Sequence, residues 1–99
     1  MAFDQAKMLM QAKKLQKEMS KQLIEAEAGD GAVTVIVNGE MKVKKVKINP
    51  ELVSLDDVEQ LEKWIEDAIR GATQAAQQYA AEKMKPIMGN LGGLGFSKN

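Results

Sequence analysis

An α+β domain is predicted, consisting of a long helix, an antiparallel β-hairpin and a second long helix. Three observations carry it: apolar residues step by threes and fours over residues 1–28, a valine-rich run meets Asn38-Gly39, and apolar positions repeat every seven residues in the second half.

In the first segment Met8, Ala12, Leu15, Met19, Leu23 and Ala26 fall on one side of a helix, so a helix is expected over about 3–28. Gly29, Asp30 and Gly31 end it, because glycine enters left-handed turns without steric cost. Val33 to Val37 is β-branched throughout, and Asn38-Gly39 is the strongest short hairpin signal in the chain, which places strands over about 32–38 and 41–48. A three-residue loop would set Val37 opposite Met41 and Val35 opposite Val43, with all four on one sheet face. Past Val43 the apolar residues change parity to Val46 and Ile48, so a bulge is expected near Lys44-Lys45. Asn49-Pro50 closes the strand. Ser54 and Asp57 form a capping pair for a helix over about 55–85, which Pro86 should end. Within it Val58, Ile65, Ala72 and Tyr79, and likewise Leu61, Ala68 and Ala75, lie seven apart. Residues 1–88 thus form one domain, and the glycine-rich stretch 89–99 is expected to be a mobile tail.

Composition narrows the chemistry. The 99 residues contain no cysteine and no histidine, so the thiolate nucleophile, the commonest general base and the commonest metal ligand are all missing. No enzyme, cofactor, metal site or small-molecule substrate is expected. Glu62 and Glu66, one turn apart, are ordinary helix carboxylates rather than a metal pair. The glycine run neither follows a strand nor precedes Lys-Ser/Thr, so it is no phosphate loop. Without an apolar run of membrane-spanning length or a secretory h-region, a cytoplasmic protein is expected.

A chain of this size buries only about 60 to 65% of its unfolded surface. Helices of about 24 and 30 residues would be roughly 36 and 45 Å long, longer than one hairpin can cover. A homodimer therefore follows, with Val33, Val35, Val37, Met41, Val43, Val46, Ile48, Val58, Leu61 and Ile65 as its core and interface. The alternative is an antiparallel helix pair capped by the hairpin.

Fourteen basic and fourteen acidic side chains cancel, but unevenly along the chain: residues 1–48 hold nine lysines against six acids. Lys7, Lys14 and Lys21 recur at seven with Lys13 and Lys17 beside them, and Lys42, Lys44, Lys45 and Lys47 crowd the hairpin. Such lysines can meet duplex phosphates and release counterions, giving affinity without reading sequence. They equally suit a solvated helix face and a strand edge guarded against aggregation, a reading composition alone slightly favours. Arg70 is the one arginine, which leaves little for base recognition, and no aromatics accompany the lysines to stack unpaired bases.

The order of lysine-bearing helix, Val33-Thr34-Val35-Ile36-Val37-Asn38-Gly39, Val46-Lys47-Ile48-Asn49-Pro50-Glu51-Leu52, alanine-rich helix through Glu82-Lys83-Met84 and Gly/Leu/Met tail resembles the YbaB/EbfC family of bacterial nucleoid-associated proteins. The resemblance spans nearly the whole chain. It implies a tweezer-like homodimer with helical arms, located in the cytoplasm on the nucleoid. It also implies binding of double-stranded DNA with little or modest sequence preference, in nucleoid organisation and gene regulation. Carried onto this chain, DNA contact falls on Lys7, Lys13, Lys14, Lys17 and Lys21, with Lys42, Lys44 and Lys45 from the hairpin. The competing expectation is a dimeric module that docks protein partners through its second helix or its C-terminal tail.

Overall fold

Glutamate and alanine favour helix, yet Leu23–Ala28 is a strand in the computed structural model, which describes residues 2–91 and the side chains of 5–86. Helix α1 (Ala2–Lys21) is followed by β1 (Leu23–Ala28), β2 (Val33–Asn38), β3 (Val43–Ile48) and helix α2 (Val58–Leu91). The strands make one antiparallel sheet in the order β1-β2-β3. The α+β class is as expected, but the first helix ends seven residues before the 3–28 span does, and its lost end is an additional strand. Leu23 and Ala26 fit a helical period, whereas Ile24, Ala26 and Ala28 also fit a strand period. Pairing with Val37, Val35 and Val33 decides for the strand, since it places all three on the apolar side of the sheet.

The β1–β2 turn runs through Gly29, Asp30 and Gly31, all with positive φ. Gly29 lies so close to the Trp64 ring that a Cβ there would stand 2.5 Å from Trp64 Cδ2. Gly29→Ala therefore meets a left-handed backbone and an occupied site at once. We expect a loss of about 3 kcal/mol, read as a lower urea midpoint at fixed protein concentration.

Between β2 and β3 the bulge is present, but the turn is longer than three residues. Val37 pairs with Val43 rather than Met41, and Val35 with Val46 rather than Val43, with Lys44 the extra residue. The cause is Asn38, whose Oδ1 accepts hydrogen bonds from the Glu40 N–H at 2.9 Å and the Lys42 N–H at 3.0 Å, drawing residues 40–42 into the turn. Met41 consequently takes a left-handed φ of 66° and is 44% exposed, not a core residue. Beyond the bulge Val46 and Ile48 lie beside Val35 and Val33, which is the parity change visible in the sequence.

Helix α2 begins one turn later than expected. Asp57, not Ser54, caps it: the Gln60 N–H donates to Asp57 Oδ1 at 3.1 Å, while Ser54 Oγ closes the preceding turn on the Asp56 N–H. The helix also continues through Pro86 to Leu91, because a proline removes one backbone hydrogen bond and the remaining ladder can carry the helix past it. Gly89, Asn90 and Leu91 are thus helical, and residues 92–99 of the expected tail lie outside the described residues.

Ala68, Ala72 and Ala76, one turn apart, are fully buried against Val33, Val35 and Val37. A Cβ at Gly71 would meet the Ala26 Cβ at 3.3 Å, so small residues let the helix lie close on the sheet. A helix about 10 Å wide covers two strands spaced about 4.8 Å apart, not three. Here α2 covers β1 and β2. The third apolar row stays open: Val43, Val46 and Ile48 are 51%, 43% and 43% exposed. Val58 is exposed too, while Leu61 and Ile65 pack against the core.

Candidate nucleic-acid interface

At about 100° per residue, Met8, Ala12, Leu15 and Met19 of α1 fall within one narrow stripe. Lys7, Lys13, Lys14, Lys17 and Lys21 occupy a roughly 120° arc on the opposite side of the helix, with Ala6 and Met10 between them. Leu15 and Met19 are the half-buried members of the stripe, whereas all five lysines and Met10 are exposed. The apolar stripe borders a notch of about 300 Å³ lined by Ala12, Leu15, Gln16, Met19, Glu40 and Met84, which fixes the lysine face outward. Met10, in the middle of that face, was not singled out by sequence reasoning, although its place on the helical wheel was available.

The molecule is elongated, and the first half of α1 is exposed. The radius of gyration is 18.7 Å, against about 13 Å for a compact chain of this length, and the molecule extends 63 Å along its longest axis. Met8, Leu9 and Met10 are 51%, 59% and 71% exposed.

Among the described side chains, no carboxylate comes within ion-pair distance of a lysine in α1 or β3. On α2 the opposite holds. Lys63 meets Glu66 at 3.7 Å and Asp67 at 3.6 Å, and Arg70 meets Asp67 at 3.1 Å. Such exposed pairs add little stability, but they cancel charge locally. Among the described side chains, the unpaired positive charge therefore lies mostly on α1 and on the hairpin.

The hairpin lysines are not one set. Lys45 and Lys47 pair with Ile36 and Thr34 on the sheet face away from α2, in line with Glu25 and Glu27 of β1. Lys44 is the bulge residue, and Lys42 sits in the turn beside the end of α1. The structure brings Lys42 and the C-terminal end of α1 to one corner of the molecule. Lys45 belongs to a sheet face that it shares with acids. Among the described residues no cluster of three His, Cys, Asp or Glu could hold a metal, and no helix is long and apolar enough to cross a membrane.

The chain is similar to several known proteins. A nucleoid-associated protein of Chloroflexus aurantiacus is 44% identical over 87 residues, covering 88% of this chain and 87% of that protein. One of Ruminiclostridium cellulolyticum is 37% identical over 94 residues, covering 88% and 82%. The crystal structure of the uncharacterized protein HP0035 from Helicobacter pylori has the same fold, with a TM-score of 0.79, 17% identity and coverage of 88% and 91%. Residues 1–91 match the YbaB/EbfC DNA-binding family, and the chain belongs to that family.

Proposed function

We propose that the protein is a homodimeric nucleoid-associated protein that grips double-stranded DNA by its phosphates through the outer face of α1, with little or modest sequence preference. The observation that carries this reading is the arc of five lysines on a projecting helix, none held by a described carboxylate. Lysine meets phosphate as a point charge, and a single arginine leaves little means of reading base edges. Lys13, Lys14, Lys17 and Lys21 form the grip, with Lys7 nearer the tip and Lys42 at the base; Lys44 and Lys45 add to it from the hairpin. The cellular role is nucleoid organisation and gene regulation in the bacterial cytoplasm.

The dimer rests on the open apolar row of the sheet. A second copy, turned about a two-fold axis, can lay its α2 over Val43, Val46 and Ile48 and receive the same cover in return. Exposed Val58 and Ile69 add apolar surface to that contact. Alanine-rich helices paired between two sheets would bury what each sheet leaves bare.

If about six phosphates are contacted, the logarithm of the binding constant should fall against the logarithm of salt with a slope near −5. Fluorescence anisotropy of a labelled random duplex across a salt series measures this. A slope near zero would exclude a phosphate grip. The competing reading, a protein-docking module working through α2, is weakened in part by the internal ion pairs of Lys63 and Arg70 with Glu66 and Asp67, which leave Glu59 and Glu62 as the unpaired acids of that half among the described side chains.

A further inference from the structure

The last turn of a helix leaves carbonyl groups without partners inside the helix, and they are usually satisfied by the chain that follows. In α1 the chain that follows, Gln22, closes on Glu18 O at 3.1 Å. The same N–H also reaches Met19 O at 3.3 Å, and a distant segment adds the shorter bond to that carbonyl and takes the next. The Gly39 N–H donates to Met19 O at 2.7 Å, and Asn38 Nδ2 donates to Ser20 O at 3.2 Å. Asn38 is 2% exposed and every polar atom of its side chain is used, Oδ1 by the Glu40 and Lys42 N–H groups and Nδ2 by Ser20. Gly39 completes the junction by close approach. A Cβ there would stand 2.6 Å from Tyr79 Cε2 and 2.7 Å from Met19 O, so the turn is wedged between the end of α1 and the flank of α2.

Beside this junction, the described residues hold α1 chiefly through half-buried Leu15 and Met19, at the notch shared with Glu40 and Met84. The described residues of its first half are exposed, and its contact with the sheet is small and falls mainly on β2. From these contacts we infer that Asn38-Gly39 is a latch that sets the direction of the α1 arm, with Asn38 a positioning residue for the lysine face. The Asn-Gly pair thus has a second task beside reversing the chain, since it adds to the local closure by Gln22 and satisfies Ser20 O as well. A buried amide that bonds both its own turn and a helix from another part of the chain defines one arm angle, because neither partner can rotate without leaving a polar group unsatisfied. The importance of this angle for DNA rests on the proposed grip; the latch itself does not.

The test uses the absence of native cysteine. Spin labels at Gln11→Cys on α1 and Glu62→Cys on α2, diluted with excess unlabelled protein so that each dimer carries one labelled protomer, report the arm-to-body distance. Asn38→Asp keeps an oxygen for the Glu40 and Lys42 N–H groups but sets a carboxylate against Ser20 O. Gly39→Ala drives the turn off Met19. We expect one narrow distance in the parent protein and a broad distribution in either variant. With Asn38→Asp we also expect an unchanged strand signal in circular dichroism and DNA affinity lower by about tenfold, the order of one lost hydrogen bond. Should Gly39→Ala fail to fold, Asn38→Asp decides alone, because its turn bonds remain. An unaltered narrow distance would overturn the latch and show that other contacts, such as a second subunit, hold the arm. If the parent protein binds no DNA, the grip fails, while the distance measurement still judges the latch.

Discussion

Reversing Lys14 and Lys17 to glutamate is expected to lower affinity for a random duplex by about a thousandfold at 0.15 M salt while leaving the dimer mass unchanged. The size follows from counterion release. With a slope of about −0.9 per phosphate, each contact contributes a factor of roughly five at that salt, and a dimer loses four contacts at once. The introduced carboxylates add repulsion. Both positions are exposed and lie opposite the apolar stripe, so neither substitution disturbs packing. Gel shift and light scattering on the same preparation check the two halves of the expectation. The same reversal at Lys63 and Arg70 should cost little by comparison, because those cations already face Glu66 and Asp67.

Val46→Asp is expected to raise the dimer dissociation constant by at least about a thousandfold, some 4 kcal/mol. Val46 pairs with buried Val35 and continues the apolar row beyond the edge of α2, yet is 43% exposed in the single chain. In a two-fold contact the substitution enters twice, and each copy would bury a carboxylate with no cation facing it. Sedimentation equilibrium should show a dimer for the parent and a monomer for the variant at the same concentration. Because the site is open in the isolated chain, the monomer itself should keep its sheet. DNA affinity should fall as well, since half the phosphate contacts go with the second arm.

The sequence made the α+β class, the Asn38-Gly39 turn, the bulge and the α2 face legible for one reason. Each is a matter of local chemistry or of a period that one element alone can satisfy. The β-branched run Val33–Val37 suits only a pleated surface, and the parity change from Val43 to Val46 requires an extra residue whatever the partner. The strand at Leu23–Ala28 was not legible, because its residues fit both periods and only pairing with β2 separates them. Likewise the pull of Asn38 on Glu40 and Lys42, which shifts the register by two and expels Met41, is a side-chain effect that a loop-length rule does not contain. The lysines of α1 could be found by counting. Their placement away from the apolar stripe follows from the helical period and was legible too, whereas the division of the hairpin lysines between turn, bulge and sheet face needed the actual register.

Met10, 71% exposed and central to the lysine arc, offers the most direct measurement. With no native cysteine to compete, Met10→Cys can carry a short photo-crosslinker, and Glu62→Cys can carry the same group on α2. Illumination with a labelled random duplex should join DNA to the Met10 position in a salt-sensitive manner and leave the Glu62 position nearly unlinked. Equal crosslinking from both positions, or from Glu62 alone, would contradict a grip through the outer face of α1.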